Sequence, residues 1–144
     1  MGTISPRDRP IIEVRNLRKE YPLGSETVVA LGNINLQIMR GEICCIFGTS
    51  GSGKSTLLNQ LAGMEKPTRG EVRIGGACVS RMNENELAAF RQNHLGFVFQ
   101  AYNLLPYLTI TENVAMPLMF RGVPRAKREK MARQVLGRVG LAHR

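Results

Sequence analysis

Apolar and polar residues alternate with period two from Ile11 to Lys19 (IIEVRNLRK) and again from Val28 to Met39 (VVALGNINLQIM). This is the pattern of strands with one face buried and one in water. Arg40-Gly41 punctuates the second run as a turn. The next run, Ile43 to Phe47, is apolar throughout, which predicts a strand covered on both faces, as in a parallel sheet. A Gly-Ser-rich stretch follows and opens into Lys54–Ala62, where Leu57, Leu58 and Leu61 recur at helical spacing before Gly63 stops the helix. Turn chemistry at Pro67–Gly70 precedes a short strand, Glu71 to Ile74, with a hairpin signal at Gly75-Gly76 and a return over Ala77 to Ser80. Asn83 to Asn93 predicts a helix capped by Asn83, with Leu87 and Phe90 turned inward; Leu95 to Phe99 (LGFVF) predicts one more apolar strand, ending on Gln100.

Thr109 and Glu112 form a T-x-x-E pair, in which a hydroxyl and a carboxylate satisfy the free amides of a helix start. Pro117 is expected to kink or end that helix. A second helix is expected from Pro124, a favoured first-turn residue, with Met131, Val135, Leu136 and Val139 on its inner face before Gly140. Strands alternating with helices predict an α/β fold, and the hairpins on either side of the Gly-Ser loop predict an antiparallel part beside the parallel sheet.

Composition narrows this picture. A chain of 144 residues, 43% hydrophobic and 22% charged, has material for one core. No apolar run approaches the ~20 residues of a membrane-crossing helix. Met1 to Pro10 lacks the apolar stretch of a secretory signal and is expected to be a loose tail, leaving 11–144 as the folded part and the cytoplasm as the compartment. Cys44 and Cys45 are neighbours in the predicted strand and point to opposite faces; with Cys78 they are expected to be small buried residues. The net charge of +9 is concentrated at the C-terminal end, where eight basic residues from Arg121 to Arg144 face Glu129 alone. No aromatic ring interleaves them, as a single-strand binding site requires, so nucleic acid is not expected and a solvated basic face is preferred to contact with an acidic partner or lipid headgroups.

Gly48-Thr49-Ser50-Gly51-Ser52-Gly53-Lys54-Ser55 fits G-x-x-x-x-G-K-[ST], between an apolar run and an amphipathic helix. Glycines let the backbone wrap a polyphosphate so that successive amides, among them those of Ser50, Gly51, Ser52 and Gly53, converge on its oxygens at the positive end of the helix dipole. Lys54 is expected near the β and γ phosphates, Ser55 on Mg²⁺, and Thr56 on the α-phosphate side. A dinucleotide fingerprint fails, because G-x-G-x-x-G counted from Gly51 needs glycine where Thr56 stands.

From Ile12 through Gln100 the sequence resembles the start of an ABC-type ATPase, in particular the branch of lipoprotein-releasing and macrolide or peptide exporters. The stretches that carry the resemblance are EVRNLRKEYPLG, GEICCIFGTSGSGKSTLLNQLAG, KPTRGEV and FVFQAYNLLPYLTITENV. It implies a P-loop NTPase fold, ATP and Mg²⁺ as ligands, and a second ATP-binding subunit as partner. It implies that Tyr21 stacks on adenine, where the alternative is a tyrosine packed at a strand end. It implies that Gln100 is the glutamine that touches Mg²⁺ or orients the attacking water. The apolar loop Tyr102–Leu108 then lies where a membrane permease docks, near Gln100 to Leu108, against the alternative of ordinary core packing, and the subunit sits on the inner face of the plasma membrane.

The family's hydrolytic set also includes an LSGGQ signature, an Asp-Glu pair ending a strand, and a switch histidine. Asp8 is the sole aspartate of the chain, and His94 and His143 are read as surface or packing residues. The chain therefore looks cut off before those motifs and is expected not to hydrolyse ATP by itself. A non-transport ABC ATPase acting on DNA is the competing reading; a GTPase is disfavoured, because an N-K-x-D motif needs an aspartate after Asp8.

Overall fold

The computed structural model describes residues 9–143. The expected tail therefore lies, through residue 8, outside the described residues. Two compact units divide the chain at Leu95 and Gly96, and each is a structure of its own.

The first unit is built on a hairpin of β1 (Ile12–Leu23) and β2 (Glu26–Ile38). The strands pair antiparallel, with Val14 opposite Leu36 and Leu17 opposite Ile34. After α1 (Lys54–Leu61) the chain returns as β3 (Arg69–Ile74), which pairs with the other edge of β1, and as the two-residue β4 (Ala77–Cys78). The sheet order is β2-β1-β3-β4, antiparallel throughout. A 3-10 turn at Val79–Arg81 leads to α2 (Glu84–His94), whose capping box joins Asn83 and Glu86 reciprocally. Val14, Leu17, Leu31, Leu61, Val72 and Leu87 form the core between sheet and helices. Period-two burial on β1 breaks at Asn16, which takes a left-handed conformation (φ 48°) and donates its amide to Asn35 Oδ1 at 2.9 Å. The bulge re-phases the strand, so that Val14 and Leu17 both face inward although three positions apart.

The expected strand Ile43–Phe47 does not form. Ile43 is 93% and Phe47 89% exposed, and no described strand pairs with them. A central parallel strand is stable only when both edges find hydrogen-bond partners and both faces are covered. The expectation for cysteine falls with it: Cys44 and Cys45 are exposed and Cys78 is half-buried, all three free.

The expected strand Leu95–Phe99, which lies in the second unit from Gly96 onward, is also irregular: Val98 is fully exposed, and Phe97 and Phe99 stack on each other, 6.0 Å apart. Two helices, α3 (Ile110–Phe120) and α4 (Arg125–Arg138), pack together beyond it. The Thr109–Glu112 box forms as expected. Pro117 does not end α3, which continues three residues further and closes through Gly122 N to Met119 O (2.9 Å) and Val123 N to Leu118 O (3.0 Å). One forgone amide donor is tolerated where the bonds on either side persist. On α4 the inner face keeps only Leu136 of the four expected residues. Ala132 and Leu136 are buried, whereas Met131, Val135 and Val139 are exposed, because α4 packs through a small residue, as α3 does through the buried Ala115.

Candidate functional site

The Gly-Ser loop of the first unit is folded back on its own lysine. Lys54 opens α1, and its Nζ donates to the carbonyls of Gly48 (2.9 Å) and Thr49 (2.6 Å). An ammonium has three protons, so one donor remains after both carbonyls are served. Inside this ring the Ser52 amide donates to Thr49 O at 3.3 Å, closing a turn around the exposed Ser50 and Gly51.

Gly53 caps α1 with φ +86°, a conformation glycine adopts without strain. A Cβ there would lie 2.5 Å from the carbonyl oxygen of Ala30 on β2, so the loop's second leg lies directly against the hairpin. No side chain caps α1. Its first amides, from Lys54 onward, thus lack the usual side-chain acceptor, at the end of the helix where the dipole favours an anion. Ser55 is exposed on the first turn and Thr56 half-buried beside it.

Tyr21 stands near the free end of β1, opposite Val28. Its hydroxyl donates to Glu65 Oε2 at 2.6 Å. That bond raises the phenol's pKa, with burial adding to it, while the hydroxyl of Thr56 pulls the other way. Tyr21 and Thr56, 35 positions apart by sequence, are therefore brought together by β1 and α1. Around the carboxylate, Asn59 Nδ2 donates to Glu65 Oε1 (3.0 Å), and Lys19 Nζ lies 3.4 Å from Oε2 and 5.0 Å from the centroid of the Tyr21 ring. Glu65 is held below its ordinary pKa, first by the Tyr21 hydroxyl and further by Asn59 and Lys19, against the opposing effect of burial. The sequence carries no signal for Glu65, Asn59 or Lys19, whose partners are distant in the chain or hidden on a helix face.

Gln100 belongs to the second unit, at an exposed bend. In the loop beyond it Tyr102, Leu104 and Tyr107 are exposed, while Leu105 and Leu108 are half-buried. The expectation of ordinary core packing therefore fits only the last two. Among the described residues no group of three His, Cys, Asp or Glu gathers as a metal site, and no helix is long and apolar enough to cross a membrane. A cleft of about 710 Å³ between Arg9, Arg40, Arg73 and Gly75 is lined by none of the loop's residues.

A lysine ringed by its own loop's carbonyls, at an uncapped helix start beside an antiparallel hairpin, defines a nucleotide-binding P-loop domain. The sequence matches the family described as ABC transporter over residues 31–144, and the chain belongs to that family. It is 43% identical over 136 residues to the macrolide export ATP-binding/permease protein MacB of Burkholderia lata, covering 94% of this chain and 20% of that protein. To MacB of Salmonella choleraesuis it is 46% identical over 134 residues, covering 93% and 21%. The chain thus spans about a fifth of the length of these curated relatives. Among solved structures it resembles the dimeric post-hydrolysis state of the ATP-binding cassette MJ0796 bound to ADP and Pi, with a TM-score of 0.78 and 42% identity over 88% of this chain and 56% of that one. A second dimeric structure of MJ0796, a bacterial ABC transporter cassette, gives 0.76 and 43% over 83% and 53%. The fold family expected from sequence, that of an ABC ATP-binding domain, is the one found, although the expected parallel strands are not formed among the described residues.

Proposed function

We propose that this chain supplies the ATP-gripping part of an ABC transporter's ATP-binding subunit, with the triphosphate held between residues 48 and 56. The observation that carries the reading is the closed ring of Lys54 with the carbonyls of Gly48 and Thr49. It presets the loop's curvature and keeps one ammonium donor for a phosphate oxygen. Ser50, Gly51 and Gly53 offer main-chain amides along the same curve, the Ser52 amide must first leave Thr49 O to join them, and the start of α1 adds its dipole. The donor set of the loop also fits Mg²⁺, which takes few protein ligands beside phosphate oxygens and water, so that the exposed Ser55 hydroxyl suffices from this loop. When bound, that ion would neutralise charge on the β and γ phosphates.

The base is read by Tyr21 through stacking, which tolerates any base and is worth about 1–3 kcal/mol. A membrane permease and a second ATP-binding domain are the partners, and the domain works on the cytoplasmic face of the membrane. The exposed Tyr102, Leu104 and Tyr107 support the permease surface, since large apolar groups rarely cluster in an idle loop. The dimeric MJ0796 cassettes and the ATP-binding/permease name of MacB support the pairing and the membrane context. Because Asp8 is the sole aspartate, none of the described strands offers an aspartate to the metal.

The test is equilibrium binding of ATP with and without Mg²⁺ to the wild type and Lys54→Ala. Loss of a charge-assisted contact of about 1.5–3 kcal/mol is expected to weaken binding at least tenfold. Equal affinity in the two proteins overturns the site.

A further inference from the structure

We propose that Glu65 is a positioning residue for the nucleotide base, holding the Tyr21 ring by its hydroxyl beside the first turn of α1. This rests on the reading of Tyr21 as the base-stacking residue and adds to it the group that sets the ring's orientation.

The need for such a group follows from the sheet. β3 accompanies β1 only as far as the Arg18–Arg69 pair, so at Tyr21 the strand has β2 on one side and no described strand on the other. The segment that follows α1 takes the place of the absent neighbour. Thr68 N donates to Arg18 O (2.9 Å), Glu20 N donates to Thr68 Oγ1 (3.0 Å), and Lys19 Nζ donates to the carbonyl of Lys66 (2.9 Å). Glu65 heads this segment, and its two oxygens are divided between the elements. Oε2 takes the Tyr21 hydroxyl from β1, and Oε1 takes the Asn59 amide from α1. A ring hinged at Cα and tied at its hydroxyl has both of its torsions restrained. Because the tie runs to a carboxylate anchored on α1, the ring plane is referenced to the same helix that presents Lys54, Ser55 and Thr56.

Lys19 completes the arrangement. Its ammonium is close to the Glu65 carboxylate and over the Tyr21 ring, so one face of the ring is already occupied by a cation and the opposite face is the one left for a purine. The carboxylate keeps that ammonium in place. Tyrosine suits this task better than phenylalanine, because only a phenol can be held from its far end. A charge-assisted bond of 2.6 Å is short and directional enough to do so.

The experiment separates base from phosphate. Affinities for ATP and for inorganic tripolyphosphate, each with Mg²⁺, are measured for wild type, Glu65→Ala, Glu65→Gln, Tyr21→Phe and the Glu65→Ala/Tyr21→Phe double variant. ATP is expected to bind the wild type more tightly than tripolyphosphate does. Glu65→Ala and Tyr21→Phe should each lose roughly threefold to tenfold in ATP affinity while tripolyphosphate affinity stays within about twofold. The double variant should lose no more than either single one, since both delete the same bond. Glu65→Gln, which keeps an acceptor, should recover most of the loss.

Equal losses for ATP and tripolyphosphate in Glu65→Ala would make the residue a support of the whole loop and overturn the proposal. Additive losses in the double variant would overturn it as well, by showing that Glu65 does not act through the hydroxyl. A wild type that binds both ligands equally removes the stacking role of Tyr21 and the proposal with it, while leaving the phosphate site standing. A wild type that binds neither removes the site itself.

Discussion

Asn113 clasps Leu105 from both sides: its Nδ2 donates to the Leu105 carbonyl at 3.1 Å, and its Oδ1 accepts the Leu105 amide at 2.8 Å. The same Nδ2 reaches the carbonyls of Leu108 (3.1 Å) and Thr109 (3.0 Å), so one side chain on the first turn of α3 gathers the end of the apolar loop. Most of these contacts are partly buried, and an abandoned partner there would lose its hydrogen bond without full access to water. Asn113→Ala is expected to cost about 1–3 kcal/mol. The expected signature is faster hydrogen exchange at the amides of Leu105 and Leu108, the latter bonded to Leu105 O within the clasped turn. Exchange left unchanged at those two amides would show that the loop keeps its shape without Asn113.

Gly53→Ala tests whether the loop's curvature is fixed by its contact with β2. At φ +86° a methyl group is strained by about 1–2 kcal/mol, and here it also meets the Ala30 carbonyl oxygen. Gly51 provides the comparison, with φ +78° and open space around the site of its Cβ. Gly51→Ala should therefore show the strain alone, whereas Gly53→Ala should show a larger fall in thermal stability and a greater loss of ATP affinity. Similar losses in both variants would mean that the approach to Ala30 is relieved cheaply.

Elements are legible from sequence where their deciding partners are near in the chain. The β1–β2 hairpin, α1 with its stop at Gly63, and the two capped helix starts at Asn83 and Thr109 all follow from periodicity and capping chemistry within a few residues. Sequence reading fails where stability depends on remote partners. Ile43–Phe47 has strand composition, but strand hydrogen bonds belong to a pair, and none of the described strands supplies the other half. On α4 the expectation holds at Leu136 and fails at Met131 and Val135, whose bulk carries the hydrophobic signal, whereas close helix packing selects Ala132. In the candidate site, the P-loop is legible as a contiguous motif. The hold on Tyr21 is not, since Glu65 stands 44 positions away and no spacing rule connects them.

The pH dependence of that hold has a definite sign. Glu65 is depressed by the Tyr21 hydroxyl, and such a carboxylate contributes stability that is present above its unfolded pKa and lost as pH falls through the folded one. Tyr21 is raised by the same bond, so its contribution is present below the unfolded phenol value and lost only in stronger alkali. The stability difference between wild type and Glu65→Gln should therefore be constant around neutrality and close below about pH 4. Thermal melts of the two proteins across that range check this. A difference that grows on acidification would contradict the assignment of Glu65 as the ionised acceptor.

Gln60, on the inner side of α1, is 1% exposed, yet neither its Nε2 nor its Oε1 has a partner among the described residues. A buried amide left unpaired costs about 1–3 kcal/mol, and its carbon chain is close in shape to that of methionine. Gln60→Met should keep the packing between α1 and the sheet while removing both unpaired polar atoms. The expected result is a gain in stability of about 1 kcal/mol or more, read as a rise in Tm of several degrees. Glu65 and Lys54 are untouched by the change, so ATP affinity should stay level. A fall in Tm would mean that the amide is satisfied by a trapped water.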